Sequence, residues 1–155
     1  MYKVRKARLE DIEILKAFEQ GIIEAERPFD ETLKDGRISY YDLTVFIKND
    51  DSEIYVVETE DKELVASGYA KILRGKPYLK HEEYAYLGFM FVDENHRGRG
   101  VNKLINDALF DWCKEREIYE VRLDVYNDND PALRAYEKSG FKRHLINMRL
   151  SLKDE

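Results

Sequence analysis

The hydrophobic period of this chain changes sharply at a glycine-rich turn, and that change constrains the fold more than any other feature. Upstream, residues 84–92 form a run of apolar and aromatic side chains without a charge, the pattern of a strand covered on both faces and so placed inside a sheet. Downstream, Val101, Leu104, Ile105, Ala108, Leu109 and Trp112 recur at steps of three and four, which gathers them on one face of a helix. A buried strand that enters an amphipathic helix through a tight turn belongs to an α/β or α+β arrangement, with helices packed on a mixed sheet.

The other segments fit that layout. Residues 2–6 read as a first strand, and Leu9, Ile12, Leu15, Phe18 and Ile22 place a helix after it that Pro28 interrupts. Ser39 and Asp42 resemble a capping box ahead of Leu43, Val45, Phe46 and Ile47, so a shorter second helix is predicted there. Residues 53–59 and 64–73 are β-rich and joined by a short polar connection, the pattern of an antiparallel hairpin. Residues 119–126 predict another strand. Asp130 as N-cap and Pro131 in the first turn predict a helix that stops at Gly140, and a last strand is expected over residues 141–152. No repeat or linker divides this order, and 155 residues suit one domain over residues 1–155.

Composition excludes several functions. With 26 basic and 32 acidic side chains the net charge is −6, which repels a nucleic-acid backbone. The longest uncharged stretch, residues 84–92, is far shorter than the roughly 20 residues of a membrane-spanning helix. The N-terminus lacks the apolar core of a secretory signal, so a cytoplasmic location is expected. Cys113 is the single cysteine, which rules out an internal disulfide, and beside Trp112 on the amphipathic helix it reads as a small packed hydrophobe. His81, His96 and His144 lie on three separate segments without metal-ligand spacing, so no metal site is expected and they read as surface residues.

The chemistry concentrates in the turn. Arg97-Gly98-Arg99-Gly100-Val101-Asn102 opens the strong helix. The first N–H groups of a helix point outward with the positive end of its dipole, glycines let a ligand approach the backbone, and arginines add charge. A diphosphate suits such a turn, as does a plain strand-to-helix connection with solvated arginines. The Gly-Lys-Ser/Thr ending of a P-loop is absent.

Arg97, Gly100 and Asn102 resemble the acetyl-CoA loop of the GNAT acetyltransferases, which reads Gln or Arg, two residues, Gly, one residue, then Gly or Ala; Asn102 departs at the last place. A second segment, Asn129-Asp130-Pro131-Ala132-Leu133-Arg134-Ala135-Tyr136-Glu137-Lys138-Ser139-Gly140-Phe141, is similar to the family's Asn-x-x-Ala...Tyr-Glu-Lys-x-Gly-Phe ending. The resemblance implies a mixed, mostly antiparallel central sheet flanked by about four helices. It implies acetyl-CoA as cosubstrate, bound by Arg97, Gly98, Arg99, Gly100, Val101, Asn102 and Asn129, with the backbone of Met90, Phe91 and Val92 pairing to the pantetheine arm where that strand splays from its neighbour.

The implied reaction is direct attack of a primary amine on a thioester, which needs a neutral amine, a stabilised oxyanion and a proton for the departing thiolate. By resemblance Tyr136 is the general acid. Asp124 interrupts Val121, Leu123 and Val125; some family members carry an acid there, and a solvent-facing carboxylate is the alternative. Tyr86 stands where other members have a glutamate, with Glu82 and Glu83 upstream. A backbone N–H near Met90 is the expected oxyanion donor. Glu24, Glu26, Asp30 and Glu31 would favour a cationic acceptor, or form a solvated face. The acceptor expected is a small-molecule amine or a peptide or protein N-terminus, with neither nucleic acid nor membrane as partner and a homodimer compatible with the reading. A non-catalytic acyl-CoA-binding or regulatory domain, and a nucleotide-phosphate binder, are the alternatives.

Overall fold

A computed structural model describes residues 1–154. It has two compact units, Met1–Asp124 and Val125–Glu155.

In the first unit the elements run β1 (Tyr2–Lys6), α1 (Ile12–Glu26), α2 (Leu43–Lys48), β2 (Ser52–Thr59), β3 (Leu64–Arg74), β4 (Glu83–Val92), α3 (Val101–Glu115) and β5 (Val121–Arg122). The strands lie side by side in chain order, antiparallel except for the parallel pair β4–β5. This is the mixed, mostly antiparallel sheet expected, with β4 interior to it. In the second unit α4 (Asp130–Lys138) brings the α-helices among the described residues to four.

The two faces of the sheet are covered by different helices because neighbouring strand residues point opposite ways. On one face Tyr69 stacks on Phe46 of α2 and meets Tyr41, within a core that includes Leu15, Phe18, Ile54, Val56 and Phe89. On the other, Gly68 lies under α3: a Cβ there would come 2.5 Å from Cγ2 of Ile105, so only glycine lets the helix sit this close. Leu109 and Trp112 of α3 are buried, as is Cys113, whose thiol burial pushes up to about 11. The packed-hydrophobe reading of Cys113 is therefore met.

Several boundaries differ from expectation. The strand predicted over residues 119–126 pairs only at Val121 and Arg122. The strand predicted over residues 141–152 is not formed: residues 141–154 hold neither helix nor strand, because a strand needs a neighbouring ladder as well as an alternating sequence. The cap of α2 is Asp42, which accepts from Val45 N–H, while the Ser39 hydroxyl turns to Glu19. The cap of α4 is Asn129 rather than Asp130. His81 and His96 are half-buried rather than on the surface, and Nδ1 of His96 is hydrogen-bonded to the Tyr2 hydroxyl at 2.8 Å.

Candidate active site

β4 carries a break in its pairing on each side. Toward β3 the register passes from Tyr69↔Gly88 to Ser67↔Phe91, so Phe89 and Met90 oppose Gly68 alone. This is a β-bulge. Phe89 adopts φ 57°, a left-handed conformation that costs a non-glycine residue on the order of 1 kcal/mol, and it is held there by burial and by the Ser67 hydroxyl donating to its carbonyl at 2.9 Å. Toward β5 the described pairs are Ala85↔Val121 and Tyr86↔Arg122 and no others. From residue 87 to 92, β4 therefore has no β5 partner, and its edge is open to an extended ligand.

The side chains of this stretch are spoken for. Phe91 stacks on Phe18 at 4.4 Å, and Sδ of Met90 packs against Gly68. The side chains of Met90 and Phe91 therefore pack, which is the expectation for them whatever the backbone binds.

After β4 a 3-10 turn (Glu94–His96) leads into the arginine-glycine loop. Gly98 and Gly100 have φ 75° and 77°, and Gly100 is the residue that caps α3 without a side chain. Nothing lies within 4 Å of the Cβ that either would carry. The glycines are required by backbone conformation and leave the turn open to solvent. Nε of Arg97 donates to the Val92 carbonyl at 3.3 Å and ties the loop to the end of β4. Val101 is buried and anchors the helix start, Asn102 is half-buried, and the first turn has no acidic residue to compete with an anion. These features fit a diphosphate.

In the second unit, Oδ1 of Asn129 accepts from Ala132 N–H at 3.3 Å, so this residue has a structural duty in starting α4. The half-buried Tyr136 meets Phe141 edge to face at 5.8 Å, and the Phe141 N–H donates to the Tyr136 carbonyl at 3.0 Å. Gly140, at φ 106°, makes that reversal. The motif residues of this segment thus form a short helix capped at both ends.

Near the end of β5 the structure joins two residues that sequence reading treated separately. The Tyr86 hydroxyl donates to Oδ2 of Asp124 at 3.0 Å. Burial first, then the charge of Asp124, raise the Tyr86 phenol above its ordinary range. Tyr69 is pushed up to about 12 by burial and by the same carboxylate. Glu26 belongs to this group: burial holds its carboxyl above the usual range, and its charge raises Tyr40, Tyr41 and Tyr86. Asp124 is exposed yet bonded to Tyr86, so it is more than a solvent-facing carboxylate. Glu83 sits at the far start of β4 opposite Arg74, and Glu24 pairs with Arg27.

Glu19 escaped sequence reading. It is 3% exposed on α1 and accepts from the N–H groups of Tyr40 and Tyr41 at 2.9 and 2.8 Å. Gln20 adds a bond to the Ile38 carbonyl at 2.8 Å. Together they hold the segment before α2 that carries two of the tyrosines. The only signal in the sequence is an acid inside the apolar face of a helix, which is easily taken for its polar edge.

Residues 15–141 match the sequence profile of the acetyltransferase (GNAT) family. The chain belongs to that family. It is 29% identical over 98 residues to a streptothricin acetyltransferase from Escherichia coli, a match covering 62% of this chain and 53% of that protein. The chain thus spans about half the length of this curated relative. A mutant of the BH1408 protein from Bacillus halodurans has the same fold, with a TM-score of 0.88 at 22% identity over 97% of this chain and 99% of that one. A predicted acetyltransferase from Clostridium acetobutylicum, solved with acetyl-CoA, gives 0.74 at 21% identity over 98% and 97%. Among the described residues no helix is long and apolar enough to cross a membrane, and no cluster of His, Cys, Asp and Glu could hold a metal.

Proposed function

We propose that residues 1–155 form one N-acetyltransferase domain that moves the acetyl group of acetyl-CoA to a primary amine by direct attack. The observation that carries this reading is the open edge of β4 over residues 87–92, running into an arginine-glycine turn at a helix N-terminus. An extended arm of peptide-like groups suits the first, and a diphosphate suits the second. Acetyl-CoA supplies an activated acyl group on a thioester.

This chain's residues then have distinct duties. Backbone groups of Met90, Phe91 and Val92 align the arm, and an N–H near Met90 faces the carbonyl oxygen as charge builds on it. Arg97, Gly98, Arg99, Gly100, Val101 and Asn102 bind the phosphates, with Asn129 adding a contact through its amide. Asp124, oriented by Tyr86, takes the proton of the attacking amine. Tyr136 gives its hydroxyl proton to the departing sulfur.

The acceptor is a cationic small-molecule amine. Three carboxylates, Asp124, Glu26 and Asp30, act on the tyrosines Tyr40, Tyr41, Tyr69 and Tyr86. Aromatic faces and carboxylates attract an ammonium group before it is deprotonated. Similarity to a streptothricin acetyltransferase supports a small-molecule acceptor.

The test is thiol release from acetyl-CoA with a panel of diamines, aminoglycosides and short peptides, alongside melting curves with CoA and with ATP. Stabilisation by CoA and turnover with cationic amines are expected. CoA binding without turnover on any amine would make this a regulatory acyl-CoA-binding domain, and stabilisation by ATP alone would make it a nucleotide binder.

A further inference from the structure

Asn106 of α3 carries a polar group that the fold itself does not use. The residue is 2% exposed, and neither Oδ1 nor Nδ2 has a hydrogen-bond partner. Among the described residues it is the one with two such atoms. A buried amide without partners costs stability, so an asparagine set into the apolar face of a helix points to a ligand that supplies both a donor and an acceptor.

Its position says which ligand. α3 rests on β1 to β4, and Ile105 and Leu109 converge with Sδ of Met90 on the space over Gly68. These two residues mark the middle of the helix face, and Met90 lies beside them on the same side of the sheet. One flank of α3 faces β2, because the charges of Asp111 and Glu115 reach Tyr55 there. At about 100° per residue, Glu115 lies half a turn round the helix from Asn106. Asn106 is therefore on the opposite flank, over β4, where residues 87–92 have no β5 partner. Asn102, one turn nearer the helix start, shares that flank and is half-buried. Asn106 stands about 9 Å along the helix from its cap at Gly100.

We propose that Asn106 hydrogen-bonds an amide group in the arm of CoA, so that α3 binds the phosphates at its first turn and the arm from its second. The inference rests on the acetyl-CoA reading and adds a residue to it. The arm joins the diphosphate to the sulfur through secondary amides, each with an N–H and a carbonyl. Such a group matches Nδ2 and Oδ1 of a single asparagine, and it is also what an open strand edge pairs with. A buried water is the competing partner, since it too donates and accepts.

The experiment is calorimetric titration of the full chain with CoA and with adenosine 3′-phosphate 5′-diphosphate, which keeps the phosphates and lacks the arm. Asn106→Leu preserves the branched shape and removes both polar atoms. CoA is expected to bind this variant about tenfold more weakly, and the armless nucleotide as tightly as it binds the wild type. Urea unfolding of the free variant should give a midpoint equal to or above that of the wild type, because an unmatched buried amide is gone. Asn106→Ala, which cannot overpack the site, should show the same selective loss of CoA affinity. Unchanged CoA affinity in both variants overturns the inference and leaves the acetyl-CoA reading in place. Equal weakening of both probes overturns it too, since that is the mark of a loosened helix start. So does an Asn106→Leu protein that unfolds at lower urea with its CoA affinity intact, the result a bridging water would give. A wild type that does not bind CoA overturns the acetyl-CoA reading itself, and this inference with it.

Discussion

The hydroxyl of Tyr86 donates to Oδ2 of Asp124 across 3.0 Å, joining β4 to the segment just beyond β5. Burial and the facing carboxylate hold this phenol above its ordinary range, so it keeps its proton wherever the enzyme works and acts as a donor. A phenol fixed in that state orients the carboxylate it donates to. On the proposed reading Asp124 is the proton acceptor, and Tyr86 positions it.

The two roles separate by pH. Asp124→Asn is expected to lower kcat/KM about 10²-fold at neutral pH and less at high pH, where the amine loses its proton unaided. Tyr86→Phe removes the donor that orients the carboxylate, so kcat/KM falls less than about tenfold and by a similar factor across the pH range. Unchanged kcat/KM in both variants would move the base to Glu26, whose carboxyl is raised by burial.

Arg97 and Arg99 flank a turn whose glycines leave open space. Replacing both with alanine should weaken CoA binding about ten- to a hundredfold if, as proposed, each is a partner for phosphate, and should flatten the dependence of affinity on salt. Calorimetric titration at two ionic strengths reads both effects. The melting temperature of the free protein should hardly move.

Glu19 tests how the tyrosine segment is held. Glu19→Ala leaves two backbone N–H groups without their acceptor, a loss of about 1–3 kcal/mol measured by urea unfolding. It also frees Tyr40 and Tyr41, so KM for the amine is expected to rise more than KM for acetyl-CoA. An equal rise in both would show general loosening.

How much of this was legible beforehand depends on whether the cause is local. The spacing of Val101, Leu104, Ile105 and Leu109 is local, and α3 follows it. Gly98 and Gly100 announce a turn, and the turn is there. The bulge at Phe89 was invisible, because a phenylalanine with positive φ is fixed by burial and by Ser67 from another strand. Glu19 was hidden for the same reason, its partners lying about twenty positions away. The segment over residues 141–152 shows the opposite error: its alternation is strand-like, but pairing requires a partner that local sequence does not supply.

A buried ionic group sets the acid limit of the fold. Burial raises the Asp11 carboxyl, but hydrogen bonds from the Arg5 guanidinium and the Arg8 N–H outweigh it and hold it below the usual range; Arg5 also holds Glu58 low. Carboxylates with depressed folded-state pKa contribute stability above their unfolded values, and that contribution is lost as pH falls through the folded ones. Unfolding midpoints should therefore drop steeply below the ordinary carboxylate range. In Arg5→Met the drop should be shallower, from a lower neutral-pH midpoint.

On the proposed reading Tyr136 carries the step that distinguishes an enzyme from a binding domain. Its ring is held by Phe141 and its backbone by the turn at Gly140, so Tyr136→Phe removes an oxygen and leaves the packing. CoA affinity and melting temperature should change little. A hydroxyl that protonates the departing sulfur acts in the transition state more than in the ground state, so the loss falls on kcat and kcat/KM alike. Loss of a positioned general acid typically costs ~10²-fold to 10⁴-fold, and because a thiolate leaves fairly well without help the expected value is near 10². The measurement is kcat under conditions where a burst or single-turnover experiment shows chemistry to be rate-limiting. Wild-type kcat there would reduce Tyr136 to a packing residue and return the acyl-CoA-binding reading to first place.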